Sequence, residues 1–203
     1  MPSRNVLKID LPNSYYHIYL RGNSRNAIFM DVEDHKVFLN LFKRYLSPDP
    51  VMDNSGRQYP NYAGRVDLLA FCLMSNHFHL LIFQHESGEL SHMMRGFLTT
   101  YSRYFNKKYG KSGPLFESRY KSSRISNDVY LMHISRYIHL NPKDWRTWRW
   151  SSLDYYLGRV SAPWIKPDSI LGLFSSTVTY EAFLEDYQDH KHIFETIKHE
   201  LAN

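Results

Sequence analysis

Residues 71–83, FCLMSNHFHLLIF, are apolar at nearly every position and free of Gly and Pro, the pattern of a central strand buried on both faces of a sheet. Two polar residues, Ser75 and Asn76, interrupt the run. One long strand over 65–83 and a hairpin both fit; the polar pair favours a tight turn, with His77 opening the second strand. The stretch SYYHIYLR, residues 14–21, is aromatic and β-branched and closes on Gly22-Asn23, which predicts the first strand.

Elsewhere the apolar period changes from two to between three and four. Val37, Phe38, Leu41, Phe42 and Tyr45 line one face of a helix that Asp31 or Asp34 can cap. Leu90, Met93, Met94, Phe97, Leu98, Tyr101 and Phe105 predict a long helix over 89–108, and residues of this kind at this spacing are core. Asn127 as cap and Asp128 in the first turn start a third helix, which Asn141-Pro142 ends. On it Tyr130, His133, Ile134, Tyr137 and Asn141 recur every three or four positions, so they share a face. Residues 47–64 hold three prolines and no period and read as an exposed, mobile excursion. A loop at 110–113 leads to an extended edge over 114–125. Residues 143–203, rich in Trp and Tyr and ending in an acidic helix from about 180, read as a C-terminal extension packed on a domain of residues 1–142.

Composition adds little until charge is placed along the chain. The 203 residues are 43% hydrophobic and 22% charged, an ordinary globular balance. The single cysteine, Cys72, allows no intramolecular disulfide and fits a reducing compartment. With no signal-like or membrane-spanning run, a cytoplasmic protein is expected. The net charge is only +5, yet residues 95–124 carry eight bases against one acid. Such a block is usually a solvated face. Interleaved with Tyr101, Tyr104, Phe105, Tyr109, Phe116 and Tyr120, it is also what a single-stranded nucleic-acid groove needs, cations for phosphates and rings for stacking. The candidate nucleic-acid contacts are Arg95, Arg103, Lys107, Lys108, Arg119, Tyr120, Lys121 and Arg124.

Strand geometry puts His77 and His79 on one face, roughly 6.6–6.8 Å apart at their bases. They can close on one metal ion, or they can be core histidines; two unpaired imidazoles on an apolar strand would be costly to bury. His17, His133 and His139 read as packing or surface residues.

Two strand histidines, with a tyrosine and an amide one helical turn apart, resemble the active site of the single-tyrosine HUH transposases. The blocks YYHIYLRGN from Tyr15, CLMSNHFHLLI from Cys72, GPLFESRYK from Gly113, SRYIHLNP from Ser135 and WSSLDYYLG from Trp150 resemble, in the same order, the REP-associated tyrosine transposases. The resemblance implies an α+β, ferredoxin-like (RRM-like) antiparallel sheet with helices on one side. It also implies nicking and strand transfer on single-stranded DNA at a hairpin or palindrome, through a covalent 5′-phosphotyrosine. Carried onto this chain, it makes Tyr137 the nucleophile and His77, His79 and Asn141 the ligands of a divalent ion, Mg2+ or Mn2+, in a monomer or homodimer. Tyr120, in the basic block, is the rival nucleophile. A non-catalytic RRM-like nucleic-acid-binding module and a water-activating metallohydrolase are the competing readings.

Overall fold

The computed structural model describes residues 9–174 and 177–186. Six elements in the order β1 (Ser14–Arg21), α1 (Val32–Leu46), β2 (Val66–Met74), β3 (His77–Gln84), α2 (Glu89–Tyr109) and β4 (Lys121–Ile125) form a four-stranded antiparallel sheet of order β2-β3-β1-β4. This is the expected ferredoxin-like arrangement, in which each helix crosses over a strand of the other half. Beyond it lie α3 (Asp128–His139), α4 (Leu153–Tyr156), α5 (Asp168–Leu171) and α6 (Thr177–Glu185).

Local chemistry explains most of the element limits. Asp31 caps α1 by accepting from Asp34 N, and the Asp34 carboxylate reaches back to the Asp31 N–H, a capping box. Asn127 caps α3 by accepting from Tyr130 N. The hairpin reading holds, with Met74 opposite His77 across the Ser75-Asn76 turn. Of the run 71–83, only β3 is interior. β2 lies at the end of the sheet, and its outer edge is taken by the chain at 150–152, where Leu73 N donates to Trp150 O (2.8 Å) and Ser152 N to Phe71 O (2.9 Å). Extended pairing over 114–125 is confined to β4, because Phe116 bridges to Gly22 beyond the end of β1 instead. Residues 47–64 carry their own Met52–Gln58 bridge, and Tyr62 N and Tyr45 O (2.7 Å) tie their base to α1.

Alternation sorts the strands into two faces. Tyr16, Ile18, Leu20, Phe71, Leu73, Phe78, Leu80 and Ile82 meet the aromatic faces of α1 and α2 in the larger core. The other face carries Ala70, Cys72 and Leu81 against Leu131, Ile134, Tyr137 and Ile138 of α3 and against Leu153, Tyr156, Ile170 and Tyr180 beyond it. Helices therefore cover both faces: α1 and α2 one side as expected, α3 and the C-terminal elements the other. A register shift between Leu68 and Ala70 lets β2 keep its alternation in step with β3.

Near the ends of α1 and α2 lies a closed polar cluster. Lys108 Nζ is 2.8 Å from carboxylate oxygens of both Asp31 and Asp34, and the Tyr104 and Tyr109 hydroxyls donate to Asp34. Asp34 is fully buried, and its carboxyl is held below the usual range by these donors against the opposing effect of burial.

Candidate active site

The α3 face of the sheet carries the strand imidazoles. His77 and His79 project from it on β3, their rings 5.2 Å apart and nearly perpendicular. Tyr137 comes down from α3, its ring 5.2 Å from that of His79, also edge to face. Asn141, just past the end of α3, lies one helical turn after Tyr137; its side chain is hydrogen-bonded to Tyr137, and its Oδ1 is 3.2 Å from His77 Nε2. All four residues expected to form a site are brought together. A cavity of about 370 Å³ opens onto His77, His79 and Tyr137, lined also by Tyr19, Arg21, Arg25, Glu117 and Lys121.

Burial sets the electrostatics. His79 is 4% exposed, and burial, followed by the charges of His17, His77 and Arg21, holds it neutral. His77 is also lowered by burial, partly offset by its contact with Asn141. Burial pushes the Tyr137 phenol up to about 12, opposed by the Arg21 charge and the Asn141 hydrogen bond. A neutral His77 has one N–H for two amide oxygens, Asn76 Oδ1 at 2.7 Å from Nδ1 and Asn141 Oδ1 at 3.2 Å from Nε2. With the proton given to the nearer oxygen, the Nε2 lone pair faces the lone pairs of Asn141, a donor set that a cation would satisfy. Among the described residues no three of His, Cys, Asp and Glu are grouped to hold a metal, so an ion here would rest on two imidazoles and one amide oxygen. That set suits Mn2+ better than Mg2+, which prefers oxygen.

His17, expected to be a packing or surface residue, is buried at 1% exposure. It also makes a contact that this assignment did not supply. Its Nε2 is 3.1 Å from His79 Nδ1, with the rings stacked at 5.2 Å, and burial depresses it to about 3. Donation from His79 Nδ1 to His17 would fix the His79 ring and leave Nε2 as a lone pair, the state a ligating imidazole needs. Alternation along SYYHIYLR already put His17, Tyr19 and Arg21 on one face. What was missing was the β1–β3 register, which sets Tyr19 opposite His79 and Arg21 opposite His77.

The basic block is dispersed. Lys121 lines the cavity and lies over the Tyr19 ring at 5.7 Å. Arg124 is exposed on the same strand, where alternation turns it to the other side, and Arg119 is exposed before it. Arg95, Arg103 and Lys107 are exposed on α2, the layer behind the sheet. Arg103 borders a separate groove with Leu98 and Phe116. Two expectations are corrected. Lys108 is neutralised by Asp31 and Asp34 and is not a free phosphate contact. Tyr120 is 5% exposed, with its hydroxyl 3.2 Å from Ser91 Oγ in the larger core on the α1 and α2 side of the sheet, so it offers no stacking surface and is not brought to His77 and His79 as Tyr137 is. His133 packs beside Phe183, and His139 bonds Tyr180 (2.6 Å) and Ser152 (2.7 Å), as packing residues do.

A ferredoxin-like sheet thus brings a tyrosine, two strand histidines and an amide together beside a cavity lined by Arg21, Arg25 and Lys121. Residues 60–141, which contain β2, β3, α2, β4 and α3, match the family model described as IS200-like transposase, and over them the chain resembles that family. In fold it is similar to a REP-associated tyrosine transposase solved with a REP hairpin, at a TM-score of 0.54 and 15% identity over 78% of this chain and 88% of that one. A weaker likeness, TM-score 0.40 at 14% identity over 68% of this chain and 95% of the other, is to a candidate transposase from Deinococcus radiodurans R1. No curated protein sequence matches. Among the described residues no helix is long and apolar enough to cross a membrane.

Proposed function

We propose that this protein nicks and rejoins single-stranded DNA beside a hairpin or palindrome, in the cytoplasm, with Tyr137 as nucleophile. The observation that carries the reading is the convergence of Tyr137, His77 and His79 in one cavity lined also by Arg21, Arg25 and Lys121, with Asn141 beside His77 and Tyr137. Tyr137 Oη attacks phosphorus, the P–O3′ bond breaks, and the product is a 5′-phosphotyrosine with a free 3′-hydroxyl. The ester keeps the bond energy, so the same step in reverse joins a new 3′-hydroxyl. A phenol at about 12 is some five pH units from its anion at pH 7, a cost of about 7 kcal/mol. The site must offset that cost.

Asn141, bonded to Tyr137 and with its Oδ1 3.2 Å from His77 Nε2, places the phenol relative to the imidazoles, and His17 packs behind His79. A divalent ion held by His77, His79 and Asn141 would supply Lewis-acid polarisation of the phosphate when bound. The hairpin as substrate is supported by the fold relative solved with one. The alternative, a non-catalytic RRM-like module, has the burial of Tyr137 at 7% exposure in its favour. Against it, the sheet face that an RRM leaves open for bases is here covered by α3.

The test is incubation of the protein with end-labelled single-stranded hairpin DNA and Mn2+, followed by denaturing electrophoresis. A protein–DNA adduct is expected with the wild type and none with Tyr137→Phe, while hairpin affinity is retained. An adduct of undiminished yield in the variant would remove Tyr137 from the mechanism. Binding without an adduct under any divalent ion would leave the module reading.

A further inference from the structure

Arg21 has no assigned role, yet the sheet fixes its position directly beside His77. It is the last residue of β1, cross-strand partner of His77, on the face that carries His17 and Tyr19. Its backbone is held from two sides: Glu117 N donates to Arg21 O (3.1 Å), and the next residue, Gly22, donates to Asn76 O (2.8 Å) in the β2–β3 turn. Its side chain enters no ion pair with a carboxylate among the described residues. The other charged and titratable groups around Tyr137 come from the neighbouring elements: His17 and Tyr19 on β1, His77 and His79 on β3, Cys72 on β2, Lys121 on β4, and Arg25 and Glu117 from the loops, with the neutral amide of Asn141 after α3.

The corner after Arg21 is also built for a purpose. A Cβ at Gly22 would stand 2.1 Å from Asn26 O, so the chain turns back on itself only with glycine there. Ser24 and Arg25 follow in the left-handed region, at φ 51° and 60°, a strain on the order of 1 kcal/mol each. That turn returns Arg25 to the cavity that Arg21 lines.

We propose that Arg21 is a catalytic residue whose guanidinium grips the non-bridging oxygens of the phosphodiester that Tyr137 attacks. The inference rests on the reading above and adds to it the group that meets the charge the reaction develops. As the Tyr137 Oη–P bond forms and the P–O3′ bond breaks, the phenolic proton is released, the departing 3′-oxygen ends as a hydroxyl, and negative charge gathers on the non-bridging oxygens between them. A planar fork of donors matches two such oxygens at once, as a lysine cannot. The Arg21 charge also acts on Tyr137, His77 and His79 together.

The test pairs Arg21→Gln with a hairpin whose scissile phosphate is replaced by a methylphosphonate, which lacks one non-bridging oxygen charge. On the natural phosphate, Arg21→Gln is expected to slow adduct formation by about 10²–10³, with a thermal midpoint like the wild type and only a few-fold loss of affinity. Arg21→Lys restores part of the rate, and free guanidinium ion restores part of the rate of Arg21→Ala. On the methylphosphonate the variant should lose little beyond what the wild type loses. Equal losses on both substrates, or no loss on either, would overturn the assignment. Should the wild type form no adduct at all, the nuclease reading fails separately. Arg21 is then judged by hairpin binding, where Arg21→Gln must lower the log-log salt slope by about 0.7 or be discarded as a phosphate ligand.

Discussion

Two polar clusters sit on opposite sides of the same sheet, and they are completed in different ways. Around Lys108 every strong group has its counterpart: one ammonium, two carboxylates, two phenols and the cap of α1 close on one another. Around His79 the groups do not all find counterparts among the described residues. His77 has one proton for two amide oxygens, His79 would offer a lone pair to the cavity when its Nδ1–H donates to His17, and Arg21 has no carboxylate partner among the described residues. A closed polar cluster rigidifies the fold, whereas a cluster with valences left over is a place for something else to bind. The same reasoning separates two lysines of one basic block, Lys108 bound inward and Lys121 facing the cavity.

The comparison breaks most readily at Asp34. Asp34→Ala removes the counter-charge of Lys108 and a member of the capping box, and is expected to cost on the order of 3 kcal/mol in urea unfolding, with adduct formation intact at low temperature. A loss under 1 kcal/mol would mean that the closed cluster is not structural.

Acid should then distinguish the two kinds of buried group. His139 is neutral in the fold, burial depressing it to about 3 from 6.5. The unfolded chain gains its proton below about pH 6.5 and the folded one only near 3. The stability from this residue is therefore complete above 6.5 and lost as pH falls, by roughly 1.4 kcal/mol per pH unit. Asp31, held at about 2 chiefly by its hydrogen bond from Lys108, contributes above the ordinary carboxylate range and loses that contribution only as pH falls through 2. Urea midpoints between pH 6 and 4.5, with chelator present, should fall steeply in the wild type and by about one proton less in His139→Gln.

At the open cluster, His17→Phe keeps the ring volume but removes the partner of His79 Nδ1. A 10–100-fold loss of Mn2+ affinity is expected, read by titration calorimetry; unchanged affinity would return His17 to packing alone. The smallest effect separates the lysines. Lys121→Ala should lower the salt slope of hairpin binding by about 0.7 and Lys108→Ala should leave it unmoved, so equal slopes would erase the distinction.

How much of this was legible in the sequence follows from the range of the interactions involved. The limits of β1, the caps at Asp31 and Asn127, the turn at Ser75-Asn76 and the shared face of Tyr137 and Asn141 depend on neighbours a few residues away, and they could be read directly. The slot of β1 between β3 and β4 could not, because no local rule fixes strand order. The pairings of His17 with His79 and of Arg21 with His77 went unseen with it. Lys108 looked like a phosphate contact because its carboxylate partners lie more than seventy residues upstream. Tyr120 looked available because a five-residue edge strand gives no sign of which residues beside it turn inward.

The chain at 150–152 has one more consequence. By taking up the free N–H and C=O groups along the outer side of β2, it caps a margin of the sheet that would otherwise invite another extended chain to add on. A version ending at Pro142 would keep every proposed catalytic group and yet leave that apolar border bare. Self-association through strand addition, visible as concentration-dependent light scattering, is the expected fate of such a shortened protein.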